Sequence, residues 1–190
     1  MPLPRATTLA HRILADQIPE GSCVVDATVG NGHDTEFLAA RVGDSGSVHG
    51  FDVQLAALQS AKERLRAAGL DHRVRWHHGG HECLADYVAD PLQAVMFNLG
   101  YLPGGDHALI TTTDTTLRAC SSAAALLVEG GVLSIVLYRG HPGGAEEAQA
   151  VETWILGLDA AHWSVARYSP LGRRREAPSL LLASKEPRLA

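Results

Sequence analysis

Three short stretches of this 190-residue chain carry side chains whose types and spacing suit chemistry: DATVGNGHDTEFL from Asp26 to Leu38, FNLGYLPGGD from Phe97 to Asp106, and YRGHPGGAEE from Tyr138 to Glu147. In the first, Gly30-Asn31-Gly32 is a tight turn of the kind that holds a nucleotide or a nucleoside. It departs from a dinucleotide fingerprint, which would place glycine or alanine at Thr35 so that helix and strand pack closely around a pyrophosphate. The acidic Asp34 would also repel a diphosphate. No Lys-Ser/Thr pair follows the glycines, so a P-loop is excluded. Asp52, twenty residues after Gly32, closes the segment GSVHGFD and can accept hydrogen bonds from both hydroxyls of a ribose. The pattern asks for an adenosine without a diphosphate. S-adenosylmethionine meets that demand, because its sulfonium cation tolerates nearby carboxylates. The competing reading makes the glycines a plain turn and Asp52 a cap for the helix from Gln54 onward.

The second stretch begins where an apolar segment ends, and it sets Asn98 three residues before Tyr101. In the third, Gly140, Gly143 and Gly144 permit a tight backbone around His141; a surface histidine on an ordinary turn is the alternative. His77, His78, His81 and Cys83 have metal-ligand chemistry. Successive strand residues point to opposite faces, however, and the paired spacing of zinc sites is missing, so no metal is expected. His81, in a loop, is expected to line an adenine pocket instead.

The elements that would position these residues follow from hydrophobic periodicity. Leu9, Ile13, Leu14 and Ile18 have helical spacing, which predicts an amphipathic helix over residues 5–18, ended by Pro19. SCVVDA is a short buried strand, followed by the glycine turn and a helix through Phe37, Leu38 and Val42. GSVHGFD is a second strand; Leu55, Leu58, Ala61 and Leu65 then share one helical face, and Gly69 stops the run. RVRWHH, PLQAVMFNLG and GGVLSIVLY are predicted as the third, fourth and fifth strands, with a helix centred on residues 117–127 between the last two. Alternating strands and helices with short connections imply a mostly parallel sheet covered on both faces. After a helix over residues 144–158, HWSVARYSP and PSLLLASKE leave no room for a helix between them, so they should form an antiparallel hairpin at the sheet edge. Trp154 and Trp163 are expected in the C-terminal core.

Length fits a single domain over residues 1–190, and 46% hydrophobic with 19% charged residues describes an ordinary globule. No apolar run reaches the roughly 18 residues that span a bilayer, and the N-terminus shows no signal-peptide pattern. Cys23, Cys83 and Cys120 stand apart, which suggests reduced thiols and a cytoplasmic location. The net charge of −5 argues mildly against a broad nucleic-acid surface. Against that, 14 of the 16 basic residues are arginine, and Arg173, Arg174 and Arg175 form a run suited to phosphate or simply to a solvated loop.

DATVGNGHDTEFL, GFDVQ, FNLGYLPGGD and YRGHPGG together resemble the YtqB/MnmM family of class I S-adenosylmethionine-dependent methyltransferases, long labelled rRNA methylases, and the resemblance spans nearly the whole chain. It implies an α/β Rossmann-like fold, a seven-stranded mostly parallel sheet with an antiparallel last strand. It also implies methylation of the aminomethyl group of 5-aminomethyl-2-thiouridine at the wobble position of tRNA, in the anticodon region; methylation of rRNA or a small amine, or a nucleoside-binding module without catalysis, are the alternatives. FNLGYLPGGD is similar to the Asn-Pro-Pro-Tyr motif of amino methyltransferases, with Leu99-Gly100 in place of the prolines. The similarity implies that Asn98 accepts hydrogens from the amine while Tyr101 packs on the base; Asp106 and His141 are the candidate bases. The cofactor pocket is expected to draw on Asp26, Gly30, Asn31, Gly32, Asp34, Thr35, Asp52, Gln54, His81 and Asn98. Without a separate RNA-binding domain, tRNA would be gripped by this domain's own surface or by a groove in a homodimer.

Overall fold

A computed structural model describes residues 3–100, 110–171 and 177–187. Seven strands form one sheet: β1 (Cys23–Asp26), β2 (Ser47–Asp52), β3 (Val74–His78), β4 (Leu92–Leu99), β5 (Leu127–Leu137), β6 (Trp163–Tyr168) and β7 (Ser179–Lys185). Their order is β3-β2-β1-β4-β5-β7-β6, with β7 antiparallel to both neighbours and the other pairings parallel. The hairpin read from sequence is present. Its second strand lies inside the sheet, though, and β6 forms the edge, so the final strand is the one that docks on β5.

Period-two alternation explains the two layers. Val24 and Met96 pack on one face of the sheet, their neighbours Val25 and Phe97 on the other. The first face is covered by α1 (Ala6–Ala15), α2 (His33–Val42) and α3 (Leu55–Ala67), which bury Ala10, Leu14, Leu38 and Leu65. The second is covered by α4 (Leu84–Tyr87), α5 (Thr113–Leu126) and α6 (Gly144–Leu156), which bury Leu84, Ala123, Val151 and Ile155. Trp154 and Trp163 pack against this second core, as expected.

The differences from the sequence reading are local. The first helix stops at Ala15, three residues before the predicted end, because the chain turns there through backbone bonds from Gln17 and Ile18 to Leu14. β5 starts at Leu127, earlier than the apolar run suggests, and Gly130 at φ +78° is accommodated within it. Short helical turns at Asp71–Arg73, His81–Cys83 and α4 escaped the periodicity argument, since three or four residues complete no hydrophobic period. Among the described residues no helix is long and apolar enough to cross a membrane.

Candidate active site

Strand order reverses between β1 and β4, and a cavity of about 570 Å³ opens there beyond the carboxyl ends of the strands. This is where doubly wound sheets hold ligands, and the volume suits a small-molecule cofactor. The glycine turn forms one wall. The Gly30 N–H donates to Asp52 Oδ2 at 2.8 Å, and the Gln54 N–H donates to Asp52 Oδ1, also at 2.8 Å. Asp52 thus ties the glycine turn to the residue just before α3 (Leu55–Ala67), and it lines the cavity as well. Each of its oxygens keeps a second lone pair, one for each hydroxyl of a ribose. Gly32 adopts φ +77°, and a Cβ there would stand 2.8 Å from the Cβ of Ala61. Only glycine lets the start of α2 approach α3 so closely.

Beneath the turn, Asp26 is fully buried and accepts from Thr35 Oγ1 at 2.6 Å and the Thr28 N–H at 3.1 Å. Burial first, then the neighbouring Asp34 charge, raises its pKa to about 7 despite those two bonds. Asp26, Gly32 and Thr35 do not line the cavity: they brace the turn, whereas Gly30, Asn31, Asp34, Asp52, Gln54, His81 and Asn98 line it.

The opposite wall is the end of β4. Asn98 donates its backbone N–H to Thr28 Oγ1 at 2.7 Å and its side-chain Nδ2 to Asp34 Oδ2. Asp34 Oδ1 lies 2.5 Å from His11 Nε2, and the His11 ring stacks on Phe37 with centroids 4.2 Å apart. Asn98 Oδ1 is buried and has no hydrogen-bond partner among the described residues. A buried acceptor left unpaired costs about 1–3 kcal/mol, so this oxygen marks the place where a donor is due. Tyr138 closes the same wall; burial, then Asp34, pushes its phenol pKa up.

His81 lines the cavity with Nδ1 3.3 Å from the Ala27 carbonyl, which can only accept, so Nδ1 carries the hydrogen. Burial lowers its pKa and keeps the ring neutral. Behind it, buried Glu147 accepts from Thr116 Oγ1 at 2.6 Å and Thr111 Oγ1 at 2.8 Å. The Thr111 hydroxyl in turn accepts the Gly100 N–H at 2.9 Å. One carboxylate from α6 therefore ties the start of the 97–106 stretch to α5. Gly100, at φ +143°, sits against the His141 ring. His141 stands behind that backbone, off the cavity wall, with Nδ1 3.0 Å from the Pro142 oxygen. Tyr101 and Asp106 lie outside the described residues.

Sequence reading missed Thr7, His11, Tyr138, Thr111 and Glu147. Thr7 and His11 are a turn apart beside the buried face of α1 formed by Ala6, Ala10 and Leu14, a polar i, i+4 pair that an apolar-stripe argument passes over. Glu147 is a buried carboxylate in the first turn of α6 that only the tertiary fold supplies with partners.

The His/Cys cluster weighed from sequence is dispersed: His77 Nε2 bonds to His49 Nδ1 at 3.0 Å, and His78 Nε2 lies 3.1 Å from the Val53 oxygen. Another cluster exists towards the opposite ends of the strands, where Cys23, His49 and Asp90 bring one ligand atom each within 4.8 Å of one another. The Arg75 guanidinium stands over it, 3.5 Å from His49 Nε2 and 3.8 Å from Asp90.

Comparison with known proteins gives concordant results. A family model described as "Putative rRNA methylase" matches residues 48–184. A chloroplastic tRNA (mnm(5)s(2)U34)-methyltransferase of Arabidopsis thaliana is 37% identical over 179 residues, covering 89% of this chain and 65% of its own length. This chain therefore spans just under two thirds of that relative. A crystal structure described as a "putative rRNA-methylase" from Clostridium thermocellum is 38% identical, with a TM-score of 0.94 over 97% of this chain and 100% of that one. A protein of Streptococcus mutans described as "a putative methyltransferase", solved in complex with SAH, is 35% identical, with a TM-score of 0.88 over 97% of this chain and 99% of that one.

Proposed function

The chain belongs to the rRNA methylase family, and on that premise we propose that it is an S-adenosylmethionine-dependent N-methyltransferase of tRNA. Its substrate group is the aminomethyl nitrogen of 5-aminomethyl-2-thiouridine at the wobble position. The observation that carries the reading is Asn98 Oδ1, a buried acceptor without a partner among the described residues, on the wall of a cavity whose other side holds Asp52. The Arabidopsis relative is described as a tRNA (mnm(5)s(2)U34)-methyltransferase, a name that carries the methylated form of this nucleoside at position 34.

The residues present fit the cofactor. Asp52 offers one lone pair per oxygen to a ribose diol, His81 lines the cavity as a neutral ring, and the Gly30–Gly32 turn leaves room beside them. When bound, S-adenosylmethionine supplies an electrophilic methyl group on a sulfonium. The chain supplies orientation. An alkylammonium with pKa near about 10 leaves only about one amine in a thousand neutral at pH 7, a penalty of roughly 4 kcal/mol. The amine must lose one proton before its lone pair forms the N–C bond while the methyl–sulfur bond breaks, so one proton is released per turnover. Asn98 Oδ1 accepts a remaining N–H, which aims the lone pair at the methyl group, and the half-buried wall desolvates the ammonium and lowers its pKa.

Asn98→Ala removes the acceptor and leaves Asp52 and the glycine turn intact. Turnover on tRNA should fall about a hundredfold or more, and affinity for S-adenosylhomocysteine should stay within a few-fold by calorimetry. Near-normal turnover would place the acceptor pocket elsewhere.

A further inference from the structure

Asp34 stands in the cofactor turn by sequence, yet its carboxylate is engaged on the substrate side of the cavity. One oxygen accepts from the Asn98 amide, and the other lies 2.5 Å from His11 Nε2. We propose that His11 and Asp34 form a positioning pair that decides which end of the Asn98 amide faces the substrate amine, a role that rests on the N-methyltransferase reading above.

The two ends of the Asn98 amide have nearly the same shape and opposite hydrogen-bonding character. An ionised carboxylate has no hydrogen to donate, so it can receive only the NH2 end. With Nδ2 held by Asp34, Oδ1 is the end left over, and it is this atom that is buried and unpartnered among the described residues. A flipped amide would set its oxygen against the carboxylate, lose a charge-assisted bond, and offer N–H groups to an amine whose own N–H groups need an acceptor. His11 completes the device from the N-terminal helix. Its Nε2–H fixes Asp34 Oδ1, so that Oδ2 faces Asn98, and its ring is held flat on Phe37 at an interplanar angle of 6°. The Thr28 hydroxyl meanwhile pins the Asn98 backbone N–H. The amide is thus constrained at its main chain and at one end of its side chain, and its oxygen is the end that has no partner among the described residues.

The test uses the full chain and three variants, Asp34→Ala, Asp34→Asn and His11→Phe, the last of which keeps a ring to stack on Phe37. Each is measured alone and combined with Asn98→Ala. Asp34→Ala and His11→Phe should lower kcat on tRNA by about tenfold or more, and Asp34→Asn, whose own carbonyl can still receive the Asn98 NH2, should recover part of the loss. In the Asn98→Ala background the same changes should have little further effect, because they act through the amide. Calorimetric affinity for S-adenosylhomocysteine should stay within a few-fold throughout. A second readout needs no substrate: the 15N side-chain resonance of Asn98, assigned by its loss in Asn98→Ala, should move in Asp34→Ala and in His11→Phe. Additive losses of turnover, or an Asn98 amide signal indifferent to Asp34, would overturn the proposal. Loss of S-adenosylhomocysteine binding in step with turnover would overturn it too and return Asp34 to the cofactor. If the wild type failed to methylate tRNA while the amide signal moved as expected, the function reading alone would fall and the positioning geometry would stand.

Discussion

Two buried carboxylates eight residues apart, Asp26 at the end of β1 and Asp34 at the start of α2, set the electrostatics of this site, and they answer to different environments. Asp34 is tied to His11 and Asn98 at the cavity wall; Asp26 is sealed beneath the turn, where burial and then Asp34 raise its pKa to about 7. A carboxyl whose folded pKa lies above its unfolded value near about 3.9 holds its proton more tightly in the native state. Between those two values the native protein carries the extra proton, so stability falls as pH rises from about 4 to 7, by up to about 4 kcal/mol, and is flat above that window. Asp26→Asn removes the titration and keeps an acceptor for the Thr28 N–H or the Thr35 hydroxyl. Denaturant unfolding of both proteins across this range should therefore show the variant gaining on the wild type as pH rises; a difference independent of pH would refute the assignment. At this scale much was legible. The GNG turn and Asp52 are local in sequence, and their spacing announced a nucleoside site whose walls they now form. His11 and Tyr138 were not legible, because nothing in the sequence near either residue shows that the fold brings it beside Asp34.

Among the elements, the approach of α2 to α3 fixes the depth of the glycine turn. Gly32 is the contact: its φ of +77° and the 2.8 Å its Cβ would leave to the Ala61 Cβ forbid a side chain twice over. Gly32→Ala should destabilise by roughly 2 kcal/mol, lowering Tm by about 5 °C, and weaken S-adenosylhomocysteine binding as the turn shifts. Ala61→Gly in the same chain should remove the contact with the Ala61 Cβ and leave both the 2.9 Å approach to the Ala61 Cα and the backbone cost, so it restores only part of the Tm; a thermal melt of the pair of variants reads this directly. Full recovery would mean that the left-handed backbone carries no cost, and no change on Gly32→Ala would mean that the two helices do not touch there. Strands and long helices were readable because apolar residues recur at their periods. The three-residue turns and the insertion of β7 between β5 and β6 were not, since a hairpin pattern says that two strands pair and is silent on which of them meets β5.

For the whole molecule, a sheet with its helices in place brings an N-terminal helix, the end of β4 and Tyr138 after β5 to one cavity, although these segments are far apart in sequence. The net charge of −5 leaves little general attraction to nucleic acid. We read the arginine run at positions 173–175, which lies outside the described residues between β6 and β7, as the contact for tRNA phosphate. Replacing all three with alanine should weaken tRNA binding and flatten its salt dependence while S-adenosylhomocysteine affinity holds; an unchanged salt slope would make the run a solvated loop.

The central claim is that the exocyclic aminomethyl nitrogen of the wobble uridine receives the methyl group. Purified protein, S-adenosylmethionine and tRNA carrying 5-aminomethyl-2-thiouridine should be incubated together, and the digested nucleosides analysed by tandem mass spectrometry. The product should carry a single added methyl, lost with the aminomethyl side chain on fragmentation and absent from the reaction of Asn98→Ala. A methyl retained on the base or ribose, or transfer to rRNA or to a free amine with this tRNA left unchanged, would contradict that claim.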